Sequence, residues 1–164
     1  MRSGLDSATS VELTYRRFEE FYAADWERIY RALAVTLRNP DLAAEATDEA
    51  MTRAYQRWGL VRAYHNPTGW VYRVALNWAR SRLRRHSREH AGDGRESAYE
   101  PALPEPEVHR AIASLPDHHR EVVVLRYLLD WSEGDIAAAL GVPAGTVKSR
   151  LNRALSRLRE ELDP

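Results

Sequence analysis

Residues 131–154, WSEGDIAAALGVPAGTVKSRLNRA, have the pattern of two helices joined by a sharp turn. Ser132 with Asp135 three residues later resembles a capping box that begins a short helix, and Gly141 is suited to end it. The small and apolar residues that fit helix-turn-helix spacing are Ile136, Ala137, Leu140, Gly141, Val142 and Val147. The end of the chain is therefore expected to fold as a small helical domain of this type.

Apolar residues recur at helical spacing in the other segments as well, which predicts an all-α protein. One long helix is expected over Phe18–Leu37, ended by Asn39-Pro40, and a second from Pro40-Asp41. A third should begin at about Thr68, with Thr68 as its candidate cap. The expected core face of the second helix is Ala43, Ala46, Ala50, Met51, Ala54, Tyr55 and Trp58. That of the third helix is Val71, Val74, Ala75 and Trp78. That of the last helix is Val147, Leu151, Ala154, Leu158 and Leu162. Trp70 and Trp78 are both expected to be mainly buried.

Two helical domains are predicted, joined by a flexible linker. The stretch GDGRESAYEPALPEPEV is rich in Gly, Pro and acid and has too few apolar residues to support a core. We therefore assign residues 1–86 to the first domain, 87–106 to the linker and 107–164 to the second. In the second domain, Leu115-Pro116-Asp117 should separate two helices that precede the helix-turn-helix.

Charge is balanced over the whole chain but segregated along it. The 24 basic residues equal the 24 acidic ones, so net charge alone does not indicate nucleic-acid binding. Residues 61–90, however, contain seven arginines against Glu89, and residues 144–159 contain five basic residues and no acid. Such blocks are either solvated helix faces or nucleic-acid surfaces.

The first basic block places Arg73, Asn77, Arg80 and Arg84 at helical spacing, opposite the apolar face of the third helix. Such a strip can contact several phosphates, and Asn77 can also hydrogen-bond to a base edge. Just before it, Tyr64, His65 and Asn66 form a planar, hydrogen-bonding loop of the kind that can hold an unstacked base.

The second basic block coincides with the second helix of the helix-turn-helix, the element that enters the DNA major groove in such proteins. Arg150 and Arg153 are candidates for guanine or phosphate contacts, and Ser149 and Asn152 for base contacts. The complete set predicted to contact DNA here is Thr146, Lys148, Ser149, Arg150, Asn152, Arg153 and Arg157. Because this helix carries no acid before residue 160, we favour DNA binding over a purely structural helix-turn-helix.

Acidic residues share one side of the second helix. Asp41, Glu45, Asp48 and Glu49 form this stripe. Periodicity alone favours a solvated face, and the alternative is a docking face for a basic partner surface.

Several classes of protein are disfavoured by what the chain lacks. There is no cysteine, no apolar run of membrane-spanning length and no signal-peptide pattern, so a cytoplasmic protein is expected. His86 with His90, and His118 with His119, could suggest metal or acid-base chemistry, but no third ligand accompanies them. We expect no cofactor and no enzymatic activity. Three alternatives are a stand-alone helix-turn-helix regulator, an enzyme that uses these histidines, and an adaptor that binds through the acidic helix.

Three stretches together resemble the extracytoplasmic-function group of bacterial RNA polymerase sigma factors. DLAAEATDEAMTRAYQRW is similar to the family's polymerase-docking helix, and PTGWVYRVALNWARSRLRR is similar to its promoter-melting segment. LPDHHREVVVLRYLLDWSEGDIAAALGVPAGTVKSRLNRALSRLRE resembles its recognition domain for the upstream promoter element. The resemblance extends over nearly the whole chain outside the N-terminus and the linker.

The resemblance implies three partners: core RNA polymerase, promoter DNA and, in some members, an anti-sigma factor. It implies that Asp41, Glu45, Asp48, Glu49 and Thr52 bind the polymerase. It also implies that Asn77 and the loop of residues 64–66 capture flipped bases while Arg80 and Arg84 hold the backbone. The acidic linker is expected to run toward the RNA exit path. This chain departs from the family pattern at Asp48, Leu76 and Ser81, where Gln, a polar residue and Asp are usual.

Overall fold

The computed structural model describes residues 17–89 and 105–163, and all its regular elements there are helical. The helices of the N-terminal part are α1 (Phe18–Leu37), α2 (Pro40–Gln56), the single turn α3 (Trp58–Val61) and α4 (Pro67–Glu89). Those of the C-terminal part are α5 (Pro106–Ser114), α6 (Asp117–Val123), which continues into a π-helical turn (Val124–Leu128), α7 (Glu133–Leu140) and α8 (Ala144–Leu162). The all-α prediction is confirmed, and residues 90–104, most of the expected linker, lie outside the described residues.

A tight reversal sets α2 against α1. Arg38 adopts a left-handed conformation (φ 54°) that ends α1, and the Asn39 side chain then accepts a hydrogen bond from the Leu42 amide at 3.1 Å to cap α2. Pro40 occupies the first turn of α2, where its missing N–H leaves no helical hydrogen bond unmade. Small buried residues on α2, including Ala43 and Ala46, let the helices approach closely.

The cap of α4 differs from the expected one. Asn66 Oδ1 accepts a hydrogen bond from the Gly69 amide at 2.9 Å, so Asn66 caps the helix. Thr68 lies inside the first turn, where it is buried, and the prediction that it caps α4 is wrong. Asn and Thr are both good caps, and only the backbone decides which of two neighbouring candidates stands at the helix entrance.

The C-terminal part has the predicted helix-turn-helix. Ser132 Oγ accepts from the Asp135 amide at 3.1 Å to cap α7, and Gly141 ends it at φ 65°. Val147, Leu151, Ala154 and Leu158 of α8 are buried, as predicted. Leu162, the last residue of α8, is 44% exposed, contrary to prediction.

Other expected core residues lie at the margin of the core. Tyr55 is 63% exposed at the end of α2, where it contacts the Phe18 ring at 5.3 Å rather than the core. Trp70 and Trp78 are only partly buried. Aromatic side chains are long enough to cover the core from its edge, so their buried fraction depends on neighbours that periodicity does not specify.

The N-terminal and C-terminal parts share one continuous core. The Tyr72 ring of α4 meets the Trp131 ring edge-on at 5.9 Å, and both residues are at most 5% exposed. α1 packs against α5, α6 and the π-helical turn. The two halves are therefore in direct contact in this structure.

Candidate nucleic-acid and protein interfaces

The cationic strip predicted on the third helix lies on the exposed face of α4. Its members, all exposed, are Arg73, Asn77, Arg80 and Arg84. Arg80 also contacts the C-terminal part, because its Nη2 donates to Glu121 Oε1 at 3.3 Å. Beside the strip, Arg82 lies 5.2 Å from the centre of the Trp78 ring and 3.4 Å from the Glu45 carboxylate. The strip thus remains cationic, with one arginine paired to the C-terminal part of the chain.

The loop before α4 is held by a tight local structure. Asn66 uses its Oδ1 for the helix cap, and a Cβ on Gly69 would stand only 2.7 Å from Asn66 Nδ2, so glycine is required for this arrangement. Tyr64 and His65 are exposed, and the Tyr64 ring lies 6.5 Å from the Trp70 ring. The rings of Tyr64 and His65, which could stack on a base, are therefore accessible to solvent beside the capped start of α4.

This loop and the strip line a cleft between the two parts of the protein. The cleft has a volume of about 580 Å³, and its far wall is formed by Trp131 and by Asp135, Ala138 and Ala139 of α7. A second cavity of about 270 Å³ lies further along α4, where Asn77, Arg80 and Arg150 share its lining with Glu121. Candidate DNA-contacting residues from α4 and α8 thus line a common cavity.

The second cationic surface is the outer face of α8. Lys148, Asn152, Arg153 and Arg157 are exposed. Thr146, Ser149 and Arg150 are partly buried. The helix begins directly after the turn of the helix-turn-helix, so its positive dipole end lies at this turn, close to Lys148. Such a surface can bind phosphate and present base-contacting side chains to a groove.

The positive charge of α8 acts on its neighbours. Burial, together with the Arg157, Arg153 and Arg150 guanidinium groups, lowers the pKa of His119 on α6, which favours the neutral imidazole. By contrast, Tyr72 is affected mainly by burial, which raises the pKa of its hydroxyl well above the usual range despite the hydrogen bond to Thr36 at 3.1 Å. Neither group carries charge at neutral pH.

The acidic stripe lies on the outer face of α2, with its residues exposed or partly exposed. Internal contacts restrain three of them: Asp48 accepts from Trp26 Nε1 at 2.9 Å, Glu49 pairs with Arg53 at 3.1 Å, and Glu45 pairs with Arg82. Asp41 and Thr52 are exposed on the same helix. The pairs are solvated and weak, so a stronger cationic partner could replace them.

Sequence reasoning missed the side chains that join the two parts. Arg28 of α1 donates to the Leu129 carbonyl at 3.1 Å, and Arg120 of α6 donates to the Thr36 carbonyl at 3.1 Å. Glu121 and Trp131 also lie at this boundary. No spacing rule pairs residues this far apart in sequence, although the charged Arg120-Glu121 pair directly before the apolar run 122–125 was a usable indication.

The histidines considered as metal ligands do not form a metal site among the described residues. Within residues 17–89 and 105–163, no group of three or more His, Asp or Glu side chains could hold a metal ion, and His90 lies outside this range. No helix in the same part of the chain is long and apolar enough to cross a membrane.

Comparisons with known proteins agree on one family. Residues 106–158 match the family model described as Sigma-70, region 4. The RNA polymerase sigma-E factor of Streptomyces antibioticus is 34% identical, covering 89% of this chain and 84% of that protein. The ECF RNA polymerase sigma factor SigM of Mycobacterium tuberculosis is 32% identical, covering 86% and 74%. In fold, this chain is similar to the sigma factor RpoE of Bartonella quintana, solved in complex with the anti-sigma factor NepR (TM-score 0.74, 24% identity, 88% and 96% covered).

Proposed function

This chain belongs to the extracytoplasmic-function group of RNA polymerase sigma factors, and we propose that its two cationic surfaces contact two separate parts of a promoter. It acts with core RNA polymerase to direct promoter recognition, DNA melting and transcription initiation. In our assignment α8 recognises the upstream element, and α4 with the loop before it melts the downstream element. One observation supports this assignment: each half of the chain carries a cationic helix. In the C-terminal half this is α8, the second helix of the helix-turn-helix, and in the N-terminal half it is α4, which follows the loop of residues 64–66.

The upstream element is assigned to α8 because a helix-turn-helix places its second helix in the major groove. Arg150 is suited to a bidentate contact with guanine, and Lys148, Arg153 and Arg157 to phosphates. Arg150→Ala should weaken promoter binding by the polymerase complex by about 1–3 kcal/mol and relax base preference at one position. Arg110→Ala, an exposed arginine on α5, is the matched control and should leave both unchanged.

Melting is assigned to α4 and residues 64–66. Opening duplex DNA costs about 1.4 kcal/mol per stacked step, and each base held on an aromatic side chain returns about 1–3 kcal/mol. Two or three captured bases therefore suffice to nucleate a bubble. Asn77→Ala should reduce permanganate reactivity of the bubble more than it reduces closed-complex binding, while Gln56→Ala on α2 should change neither. Undiminished melting by Asn77→Ala would remove the residue from the base-capture role.

Docking on the polymerase is assigned to Asp41, Glu45, Asp48, Glu49 and Thr52 of α2. The carboxylates of this set complement a basic surface. The arginines that pair with Glu45 and Glu49 are exposed and can be exchanged for those of a partner. Glu49→Arg should lower the affinity for core enzyme, with Glu20→Arg on α1 as the control of equal charge change. A core affinity equal for both variants would place the docking surface elsewhere.

The experiment that tests the whole proposal is transcription in vitro with bacterial core enzyme, with and without this protein, followed by mapping of start sites. A stand-alone regulator would instead bind its operator tightly without polymerase. We expect weak binding by the isolated chain, because it has no net charge to attract DNA. We further propose that it acts in the cytoplasm beside the polymerase, has no enzymatic activity of its own, and is open to control by an anti-sigma factor.

A further inference from the structure

The acidic stripe on α2 contains a carboxylate that is held by an uncharged donor. Glu45 and Glu49 each pair with an arginine of this chain, at 3.4 and 3.1 Å, so their charges are compensated within the protein. Asp48, which is exposed, instead accepts a hydrogen bond from the indole Nε1 of Trp26 at 2.9 Å. An indole N–H donates without adding positive charge, so this hydrogen bond leaves the negative charge of Asp48 in place.

Trp26 is itself restrained by its neighbours on α1. Its side chain is partly buried, and its ring stacks on the Tyr30 ring, with the centroids 5.2 Å apart and the ring planes 17° apart. Tyr30 follows Trp26 by four residues, so both rings lie on the same side of the helix. The hydrogen bond therefore joins Asp48 of α2 to a fixed donor on α1, and it uses only the Oδ1 atom of the carboxylate. A carboxylate has further lone pairs, so Asp48 can still accept from a partner.

These contacts give the three carboxylates different costs of binding a cationic partner. A partner that binds Glu45 or Glu49 displaces an exposed arginine, so one solvated ion pair replaces another and the gain is small. The indole N–H of Trp26 need not leave Asp48, because one carboxylate accepts several hydrogen bonds. Holding the Asp48 side chain in one conformation before binding also removes an ordering cost that each newly immobilised side chain adds to association.

We propose that Trp26 of α1 is a positioning residue for polymerase docking, and that it holds Asp48 ready to bind a cationic side chain of the polymerase. The proposal rests on the docking role assigned to α2. Trp26 acts through Asp48, so the charge of Asp48 and its orientation are separate contributions to affinity. Asp48→Asn removes the charge and retains an oxygen that can accept from the indole. Trp26→Phe removes the indole N–H and retains an aromatic ring beside Tyr30.

The first test observes the hydrogen bond in the free, full-length chain by nuclear magnetic resonance. The chain has five tryptophans, and Trp26→Phe identifies the indole N–H resonance of Trp26 by its loss from the spectrum of a ¹⁵N-labelled sample. We expect this resonance to move in Asp48→Ala, because its acceptor is removed. It should keep its position in Asp41→Ala, which removes an exposed acid at the start of the same helix. A resonance that is the same in Asp48→Ala and in the parent overturns the positioning role.

The second test measures the kinetics with which the full-length variants bind immobilised core RNA polymerase. Asp48→Asn should lower the affinity by about tenfold or more, largely through slower association that depends less on salt. Trp26→Phe should lower it by about two- to tenfold through faster dissociation, with the salt dependence of association unchanged. Glu45→Gln should change it by at most about fivefold. Tyr22→Phe is the control and should bind as the parent does, because this exposed ring of α1 lies against Phe18 at 6.0 Å.

A double substitution separates positioning from a general effect on structure. In the Asp48→Ala background, Trp26→Phe should cause no further loss of affinity, and an equal loss in both backgrounds overturns the positioning role. If Glu49→Arg lowers core affinity but Asp48→Asn and Trp26→Phe leave it unchanged, the role of Trp26 and Asp48 fails and the proposed docking surface stands. If none of these three variants changes core affinity, the docking assignment fails together with the inference that rests on it.

Discussion

Gly69 and Gly134 provide a matched pair of substitutions with opposite expected signs. Both glycines lie in the first turn of a helix behind a capping side chain, Asn66 for α4 and Ser132 for α7. A Cβ at Gly134 would meet Ser132 Oγ at 3.8 Å, an ordinary contact. A Cβ at Gly69 would stand 2.7 Å from Asn66 Nδ2 and 3.2 Å from Trp131 Cη2. Alanine therefore fits at one position and collides at the other.

The magnitudes follow from these distances. Gly134→Ala should raise the free energy of unfolding by about 0.5–1 kcal/mol, because alanine loses less backbone entropy on folding. Gly69→Ala gains the same term but displaces the Asn66 cap, which costs about 1 kcal/mol. It also presses on Trp131 in a packed core, which costs a further 1–3 kcal/mol approximately. The net effect at Gly69 should be a destabilisation of about 1–3.5 kcal/mol.

Thermal unfolding followed by circular dichroism measures both effects. In a protein of this size, about 1 kcal/mol corresponds to a Tm shift of roughly 2–4 °C. We expect a rise for Gly134→Ala and a fall for Gly69→Ala, with loss of near-ultraviolet tryptophan signal for the latter alone. If Gly69→Ala stabilised the protein as Gly134→Ala does, neither the Asn66 cap nor the approach of Trp131 to α4 could be as described.

Two further predictions concern the boundary between the halves and the region beside α8. Trp131→Ala should lower the free energy of unfolding by about 3–5 kcal/mol, which urea denaturation measures, and should expose Tyr72, which tyrosine fluorescence reports. A loss of stability below about 1 kcal/mol would contradict the shared core. Because the pKa of His119 is lowered in the folded protein, the unfolded chain takes up its proton first as the pH falls below about 6.5, and stability decreases over that range. His119→Gln should flatten the pH dependence of urea midpoints between about pH 7 and 5, and an unchanged slope would refute the linkage.

Local features of the sequence were sufficient to predict most helices. The bounds of α1, the break at Leu115-Pro116, the Ser132 cap and the Gly141 terminus all depend on residues within one or two turns of each other. Their stereochemistry acts over the same distance, so periodicity and capping rules apply directly. The same rules failed where two neighbouring residues were both candidates for a helix cap, as with Thr68 and Asn66. They also failed where the burial of a side chain depended on which other elements pack beside it, as with Tyr55 and Leu162.

The sequence alone also determined which side chains form the two cationic surfaces, because charge segregation and helical spacing depend only on the order of the residues. Only the tertiary structure decided that Asn77 and Arg80 of the first surface line a common cavity with Arg150 of the second. Arg28 contacts Leu129 across 101 positions, and Arg120 contacts Thr36 across 84. Contacts of that range follow from how whole helices pack. The sequence around an arginine does not indicate which distant carbonyl will accept its hydrogen bond. The order of the residues therefore specified the helices and their charges, while three-dimensional packing specified which of those charges meet.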